Sequence, residues 1–510
     1  MGIGINPEKR RHLNFPSAFT ILFFIMLLAI GATWVVPAGS YSKLTYNAGE
    51  KMLEVIDPHG KASSLPPTQE ALDRINIRIN LEQFTKGKIT KPVAIPNTYE
   101  RLAQAPKTLV DLTISMVEGI IEAVDIMVFI FVLGGLIGVV NKTGAFNSGL
   151  VALSKKTKGR EFALVFLVSL LMVIGGTTCG IEEEAVAFYP ILVPIFLALG
   201  YDSIVCVGAI FLASSMGTTF STINPFSVVI ASSAAGIPFT EGIQFRIAGC
   251  VVGAVVVISY LYWYCRKIKA NPEFSYTYDD HEKFQQRFPV NLDEESIGKF
   301  SLRKKIILLL FAVAFPVMVW GVSEGGWWFP QMAASFLAIT IVIMFISGLS
   351  EHDATEAFVH GASGLVGVSL IIGLARGVNL IMEEGMISDT VLFYASNVVS
   401  GMEGGVFAVA LMIVFFFLGF IVPSSSGLAV LSMPIMAPLA DTVGIPRYIV
   451  VSAYNWGQYA MLYLAPTGLV LATLQMLGMK YNHWLQFVWP MVVFLFIFGG
   501  GLLDLQLMLL

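Results

Sequence analysis

Gly175-Gly176-Thr177-Thr178-Cys179-Gly180-Ile181-Glu182-Glu183-Glu184-Ala185-Val186 sets three carboxylates in a row behind a Gly/Thr break, with apolar runs on both sides at about 162–174 and 185–199. An ionised carboxylate at the centre of a bilayer costs roughly 2.5–3.5 kcal/mol even on a lenient insertion scale, so three facing lipid would cost about three times that. The acids must therefore face protein, water or a ligand. Each flanking arm has about 15 residues, marginal for a hydrocarbon core of roughly 30 Å at about 1.5 Å per residue. A hairpin turning at mid-membrane fits better than two complete spans, and its acidic tip is a candidate binding site.

The surrounding chain supports a membrane setting. It has 510 residues, 56% hydrophobic and only 13% charged, with long apolar runs almost free of charge. This is the composition of a polytopic, all-α membrane protein. The first run, Ala18 to Val36, is too long and too poorly followed by a small-residue cleavage site to be a removable signal, so it reads as a retained helix. Its flank Glu8-Lys9-Arg10-Arg11 is basic, which places the N-terminus (1–17) in the cytoplasm and the chain in the inner membrane. A net charge of -4 gives no reason to expect nucleic acid. Cys179, Cys206, Cys250 and Cys265 lie in or beside apolar runs without CxxC spacing, so they read as core thiols rather than disulfides or zinc ligands.

Polar residues 39–107 follow the first helix and, by that orientation, form an extracytoplasmic insertion too short and weakly patterned for an enzyme domain. The run 110–141 carries Asp111, Glu118, Glu122 and Asp125. As one helix it places the last three acids on a common wet or protein-facing side. Lys142, Lys155, Lys156, Lys158 and Arg160 then mark a cytoplasmic turn. The run 203–237 is interrupted at Ser214 to Pro225, where proline removes a helix donor and small hydroxyl residues can bond freed backbone, so it reads as a helix broken at mid-membrane. A span at 242–265 closes a first repeat (18–265), and Arg266-Lys267-Ile268-Lys269 opens a cytoplasmic linker (266–305).

A second repeat (306–510) shows the same order. Spans are predicted near 303–322, 331–349, 358–382 and 406–422. Then come the small-polar break Pro423-Ser424-Ser425-Ser426-Gly427, a run at 428–440, a run at 447–478 interrupted at Ala465-Pro466-Thr467, and a last span at 482–508. Sliding the chain by 244 residues lays Ala185-Val186 on Ala429-Val430, Pro190 on Pro434, Pro194 on Pro438 and Gly200 on Gly444. An odd number of crossings separates the halves. The predicted architecture is two inverted-topology repeats, each with a re-entrant hairpin and a broken helix, their irregular segments meeting near the midplane as in many secondary transporters.

These motifs resemble the family of anaerobic C4-dicarboxylate carriers and YfcC-type basic amino-acid antiporters, within the broader ion-transporter superfamily. The resemblance is carried over most of the chain by the first helix ending Ala32-Thr33-Trp34-Val35-Val36-Pro37-Ala38-Gly39, the acidic motif Gly180 to Phe188, Ile223-Asn224-Pro225-Phe226, and Val422 to Pro438. It implies secondary transport, inverted repeats with re-entrant hairpins, and a homodimer built on scaffold helices. Its two substrate labels conflict.

The candidate substrate site comprises Gly180, Glu182 and Glu183 at the first tip, Ser424, Ser425, Ser426 and Gly427 at the second, and Thr222, Asn224 and Thr467 at the helix breaks, with Pro225 and Pro466 as the breaking residues. Successive helical residues point about 100° apart, so Glu184 is assigned a structural role. Ser424 to Ser426 suit a helix N-cap, and a cap at mid-membrane also presents backbone N–H groups and a positive dipole end to an anion. Thr222, Asn224 and Thr467 could equally re-satisfy backbone around the prolines. Arg376, inside an apolar run with Glu383 and Glu384 following, is expected in a structural ion pair because an intramembrane guanidinium needs a partner. No phosphate-binding loop is encoded and no cofactor is implied. A coupling ion, Na+ or H+, is expected, with Na+ near Glu182 and Asn224. The expected function is secondary transport by exchange of a small charged metabolite such as arginine or ornithine. The alternative is a sodium- or proton-coupled C4-dicarboxylate carrier. An intramembrane serine hydrolase lacks a base, since His12, His59, His281, His352, His360 and His483 sit near predicted ends or in loops, and a passive channel would not need broken helices in both halves.

Overall fold

The computed structural model describes residues 17–509 except 86–88, 90, 91, 150, 151, 153–159, 288–299, 324, 326 and 403. The side chains at 179, 183, 184, 187, 191, 285, 287, 319, 322, 323 and 442 also lie outside the description. The N-terminal segment 1–16 and most of the basic turn before the first hairpin therefore fall outside the described residues.

Among the described residues eight helices are long and apolar enough to cross a membrane. α1 (Ala18–Val35) starts at Ser17, whose hydroxyl accepts the Thr20 N–H at 3.3 Å. The run predicted as one helix over 110–141 is two, α2 (Leu109–Glu122) and α3 (Val124–Lys142), separated at Ala123. Asp125 begins a new first turn, where its Oδ1 accepts the Ile126 N–H at 2.8 Å. Glu118 and Glu122 are exposed on α2, and Asp125 is half-buried at the start of α3.

The first hairpin runs through α4 (Phe162–Cys179) and a 3₁₀ turn (Glu183–Phe188) into α5 (Tyr189–Ala198). α6 (Ser203–Thr219) contains a π turn at Gly208–Leu212 and stops at Phe220, and α7 (Pro225–Ala234) resumes after the break. α4 and α6 touch backbone to backbone: a Cβ at Gly176 would fall inside the shell of the Ser214 carbonyl oxygen, and one at Gly217 inside that of Val173. α8 (Ile243–Ala270) leads to the linker, and α9 (Leu302–Ser323) and α10 (Phe329–Ser347) follow. The second half then gives α11 (Glu351–Ser363), α12 (Val366–Glu384), α13 (Ser388–Val399), α14 (Gly404–Ile421), α15 (Ser425–Thr442), α16 (Arg447–Leu464), α17 (Gly468–Leu477) and α18 (Tyr481–Met508).

Element order repeats. α2, α3, α4 and α6 begin at Leu109, Val124, Phe162 and Ser203; α11, α12, α14 and α16 begin at Glu351, Val366, Gly404 and Arg447, which is 242, 242, 242 and 244 residues later. The bases of the two hairpins lie at opposite ends of α8, a helix of 28 residues and so about 42 Å long at about 1.5 Å per residue. Near its start, Phe245 stacks on Tyr448, beside the Arg447–Asp441 pair that closes the second hairpin. Near its end, Lys269 lies 3.2 Å from Glu161 at the mouth of the first hairpin, and Tyr264 donates to Asp202 at its exit at 2.7 Å. Burial pushes the Asp202 carboxyl above the usual range despite hydrogen bonds from Ser275 and Tyr264.

The insertion is better ordered than its sequence suggests. Strands β1 (Gly39–Ser40), β2 (Lys43–Asn47), β3 (Met52–Ile56), β4 (Ala62–Leu65), β5 (Val93–Ala94) and β6 (Glu100–Arg101) form an antiparallel sheet in the order β4-β3-β2-β5 and a separate β1–β6 pair. Leu44 and Leu53 are fully buried beneath it. It grips the second half: Tyr99 stacks on Phe393 with centroids 4.2 Å apart, and Asp389 accepts from Ser40 Oγ at 2.9 Å and the Tyr41 N–H at 3.1 Å.

Candidate substrate site

Both tips and both helix breaks open into one cavity of about 580 Å3. α4 stops because Gly180 turns left-handed (φ 68°), and its N–H returns to the carbonyls of Gly175 and Gly176 at 3.0 and 3.2 Å. Only glycine takes this conformation without strain, and here a Cβ would also meet Asn224 Nδ2 at 2.6 Å. Asn224 is fully buried and spans the break: its Nδ2 donates to Gly176 O at 3.1 Å, and its Oδ1 caps α7 by accepting the Phe226 N–H at 2.9 Å. Thr222 and Thr177 clasp each other, with the Thr222 N–H donating to Thr177 Oγ1 at 3.0 Å. Thr222 and Asn224 thus supply the backbone repair that the proline break demands, and Asn224 additionally lines the cavity.

Across from this, Ser424 caps the 18-residue α15, accepting the Gly427 N–H at 3.2 Å. Ser425 Oγ donates to Phe226 O at 3.3 Å, and Tyr454 OH donates to Ser425 O at 2.5 Å, so the second tip is tied to both broken helices. The cavity walls include Gly180, Glu182, Asn224, Ser424, Ser425, Ser426, Pro466 and Thr467 from the residues singled out in the sequence. Thr222, Pro225 and Gly427 stand behind that wall, and the Glu183 side chain lies outside the described residues. Among the described residues no group of three or more His, Cys, Asp or Glu is placed to hold a metal ion.

Arg376 differs from expectation. It sits on α12 with its side chain on the cavity wall, and among the described residues no acid lies within ion-pair distance of it. Glu384, two helical turns on, pairs instead with Lys107 at 2.7 Å. Asn379 and Gln458 also line the cavity, as does Trp328, whose indole donates to Asp125 Oδ2 at 3.0 Å and packs on Phe226 with centroids 5.1 Å apart. Sequence reading missed these. A polar residue one turn after Arg376, and a glutamine one turn after Asn455 in the mainly apolar α16, were the available signals.

Residues 15–508 match the family model described as "DcuC: C4-dicarboxylate anaerobic carrier". The chain belongs to this family. It is 68% identical over 503 residues to an uncharacterized protein of Haemophilus influenzae, covering 98% of this chain and 99% of that one. It is 30% identical over 509 residues to the Escherichia coli protein named "Putative basic amino acid antiporter YfcC", covering 97% and 96%. Two solved transporters align over nearly their whole length: YdaH of Alcanivorax borkumensis (13% identity, TM-score 0.40, 96% of this chain and 98% of that one) and MtrF of Neisseria gonorrhoeae (15%, 0.39, 98% and 96%). Likenesses this slight decide neither fold nor substrate. This DcuC-family member is a multi-pass membrane transporter.

Proposed function

We propose that the protein is a secondary active antiporter of amino acids with cationic side chains, such as arginine and ornithine, in the inner membrane with its N-terminus in the cytoplasm. One observation carries this reading: a single cavity presents a carboxylate, Glu182, on one tip and the capped N-terminus of an 18-residue helix on the other. Backbone N–H groups and the dipole at such an end favour a substrate carboxylate, and Glu182 favours a substrate cation. The name of the Escherichia coli relative points the same way. The coupling ion is assigned to the first tip, as H+ on Glu182 or Na+ between Glu182 and Asn224. The bilayer and a second copy of the chain, as a homodimer, are the expected partners.

A C4-dicarboxylate carrier is the second reading, favoured by Arg376 in the cavity and by the family's description. It requires Glu182 to be protonated or screened by a cation, because a like charge in a low-dielectric site repels strongly. A thermal-shift screen of purified full-length protein with arginine, ornithine, succinate and fumarate, with and without sodium, separates the two. Stabilisation by basic amino acids and counterflow of labelled arginine in proteoliposomes are expected. Sodium-dependent stabilisation by succinate, with none by arginine, overturns the first reading.

A further inference from the structure

The cavity keeps polar groups that the tips do not use. Arg376 and Asn379 stand three residues apart on α12, hence on one face, and both line the cavity. Gln458, only 3% exposed, reaches the same space from α16. Gln458 Nε2 donates to Pro423 O at 3.4 Å, which fixes the direction of the amide. Its Oε1 is buried with no partner among the described residues, and so is Asn379 Oδ1. Two kinds of unfilled capacity therefore border one space: a guanidinium with a fork of N–H donors, and two amide oxygens that only a donor can satisfy.

A dicarboxylate answers the first and leaves both oxygens bare. An amine answers the second and leaves the guanidinium bare. An α-amino acid carries a carboxylate and an ammonium on one carbon. Resting on the function proposed above, we infer that Arg376 is a substrate-binding residue that shares the substrate carboxylate with the Ser424-capped end of α15, while Asn379 Oδ1 and Gln458 Oε1 receive the α-ammonium. A carboxylate has about four lone-pair sites, enough for both donors. Glu182 is then left for the side-chain cation, so the α-amino acid head group is read largely by α12 and α16 and the side chain by the first tip.

The test uses purified full-length protein and three ligands: arginine, agmatine (no carboxylate) and 5-guanidinopentanoate (no α-ammonium). Wild type is expected to prefer arginine over either analogue by at least about tenfold, as sites built around hydrogen-bonded groups do. Arg376→Gln should bring arginine most of the way down toward agmatine, the Ser424-capped end of α15 keeping the remainder, while leaving agmatine itself unchanged. Gln458→Leu should bring arginine part of the way down toward 5-guanidinopentanoate, Asn379 Oδ1 remaining for the ammonium. Arg376→Lys, which keeps the charge but not the fork, guards against a folding defect and should lower the arginine-to-agmatine ratio to an intermediate value. An unchanged ratio in a folded Arg376→Lys or Arg376→Gln protein overturns the proposal, as does a loss of thermal midpoint with the ratio intact. Binding of neutral amino acids in place of arginine, still lost in Arg376→Gln, supports the head-group site while refuting the preference for basic side chains. Binding of succinate with no amino acid bound refutes both.

Discussion

The first hairpin tip and the second occupy matching places in the repeat yet are built by different means. The first turns on a left-handed glycine, carries acids through a 3₁₀ stretch, and is sewn to the neighbouring broken helix by Asn224 and the Thr177–Thr222 clasp. The second goes from Pro423 straight into α15 through one serine cap, with no acid in the first turn of that helix. Related positions have thus been given opposite electrostatic character. A cavity with two like tips would suit a symmetric ion. One with unlike tips suits a ligand whose ends differ.

The largest test of that contrast is Asn224→Ala. It removes a buried bond to Gly176 and the cap of α7 together, and should cost about 2–4 kcal/mol, seen as a marked drop in thermal midpoint in detergent. If Asn224→Ala is as mild as loss of the second tip's cap, the first tip is not held in the way described. Next is Glu182→Gln, which should weaken arginine binding by at least about tenfold, the scale of one charge-assisted contact, with expression intact. Equal arginine affinity in the two proteins would dissolve the electrostatic contrast between the tips. Ser424→Ala should cost about 1 kcal/mol, the usual value of an N-cap, and should slow exchange of every carboxylate-bearing substrate by a similar factor.

The smallest effect concerns the linker rather than the tips. Asp280 meets Lys283 at 2.7 Å and Lys480, just before α18, at 3.3 Å. Burial alone would raise its pKa, but hydrogen bonds from Lys283 and Lys480 and their charges more than offset this and hold the carboxyl below its ordinary 3.8. A depressed carboxylate stabilises the fold above its unfolded pKa and loses that contribution as pH falls through the folded value. Asp280→Asn should therefore lower the thermal midpoint slightly at neutral pH and leave it unchanged relative to wild type at the acid end. A pH-independent difference between the two proteins would show that Asp280 acts by packing alone.

The tips and breaks were legible because membrane burial makes polar and helix-breaking residues conspicuous: Gly180, Glu182, Asn224, Ser424 to Ser426, Pro466 and Thr467 all reach the one cavity. The repeat was legible for the same reason, since Pro and Gly punctuate both halves at matching intervals. Three features were not. The break at Ala123 contains neither proline nor glycine, and arises where Asp125 opens a new helical turn. The insertion's sheet joins strands of two to five residues, too short for alternation to rise above noise. Arg376 was expected in an ion pair because Glu383 and Glu384 follow it, but local sequence cannot tell that Lys107, 277 residues before Glu384, pairs with that acid.

Where Gly176 lies against Ser214 and Gly217 against Val173, the main chains of α4 and α6 touch with no side chain between them. A carrier must hold a polar chamber inside an insulator without shunting current around its cargo. A seam this close has no width for a file of water between the two helices. A methyl group at either glycine would act as a wedge, and its signature would be an uncoupled leak of ions measured in proteoliposomes with no substrate present.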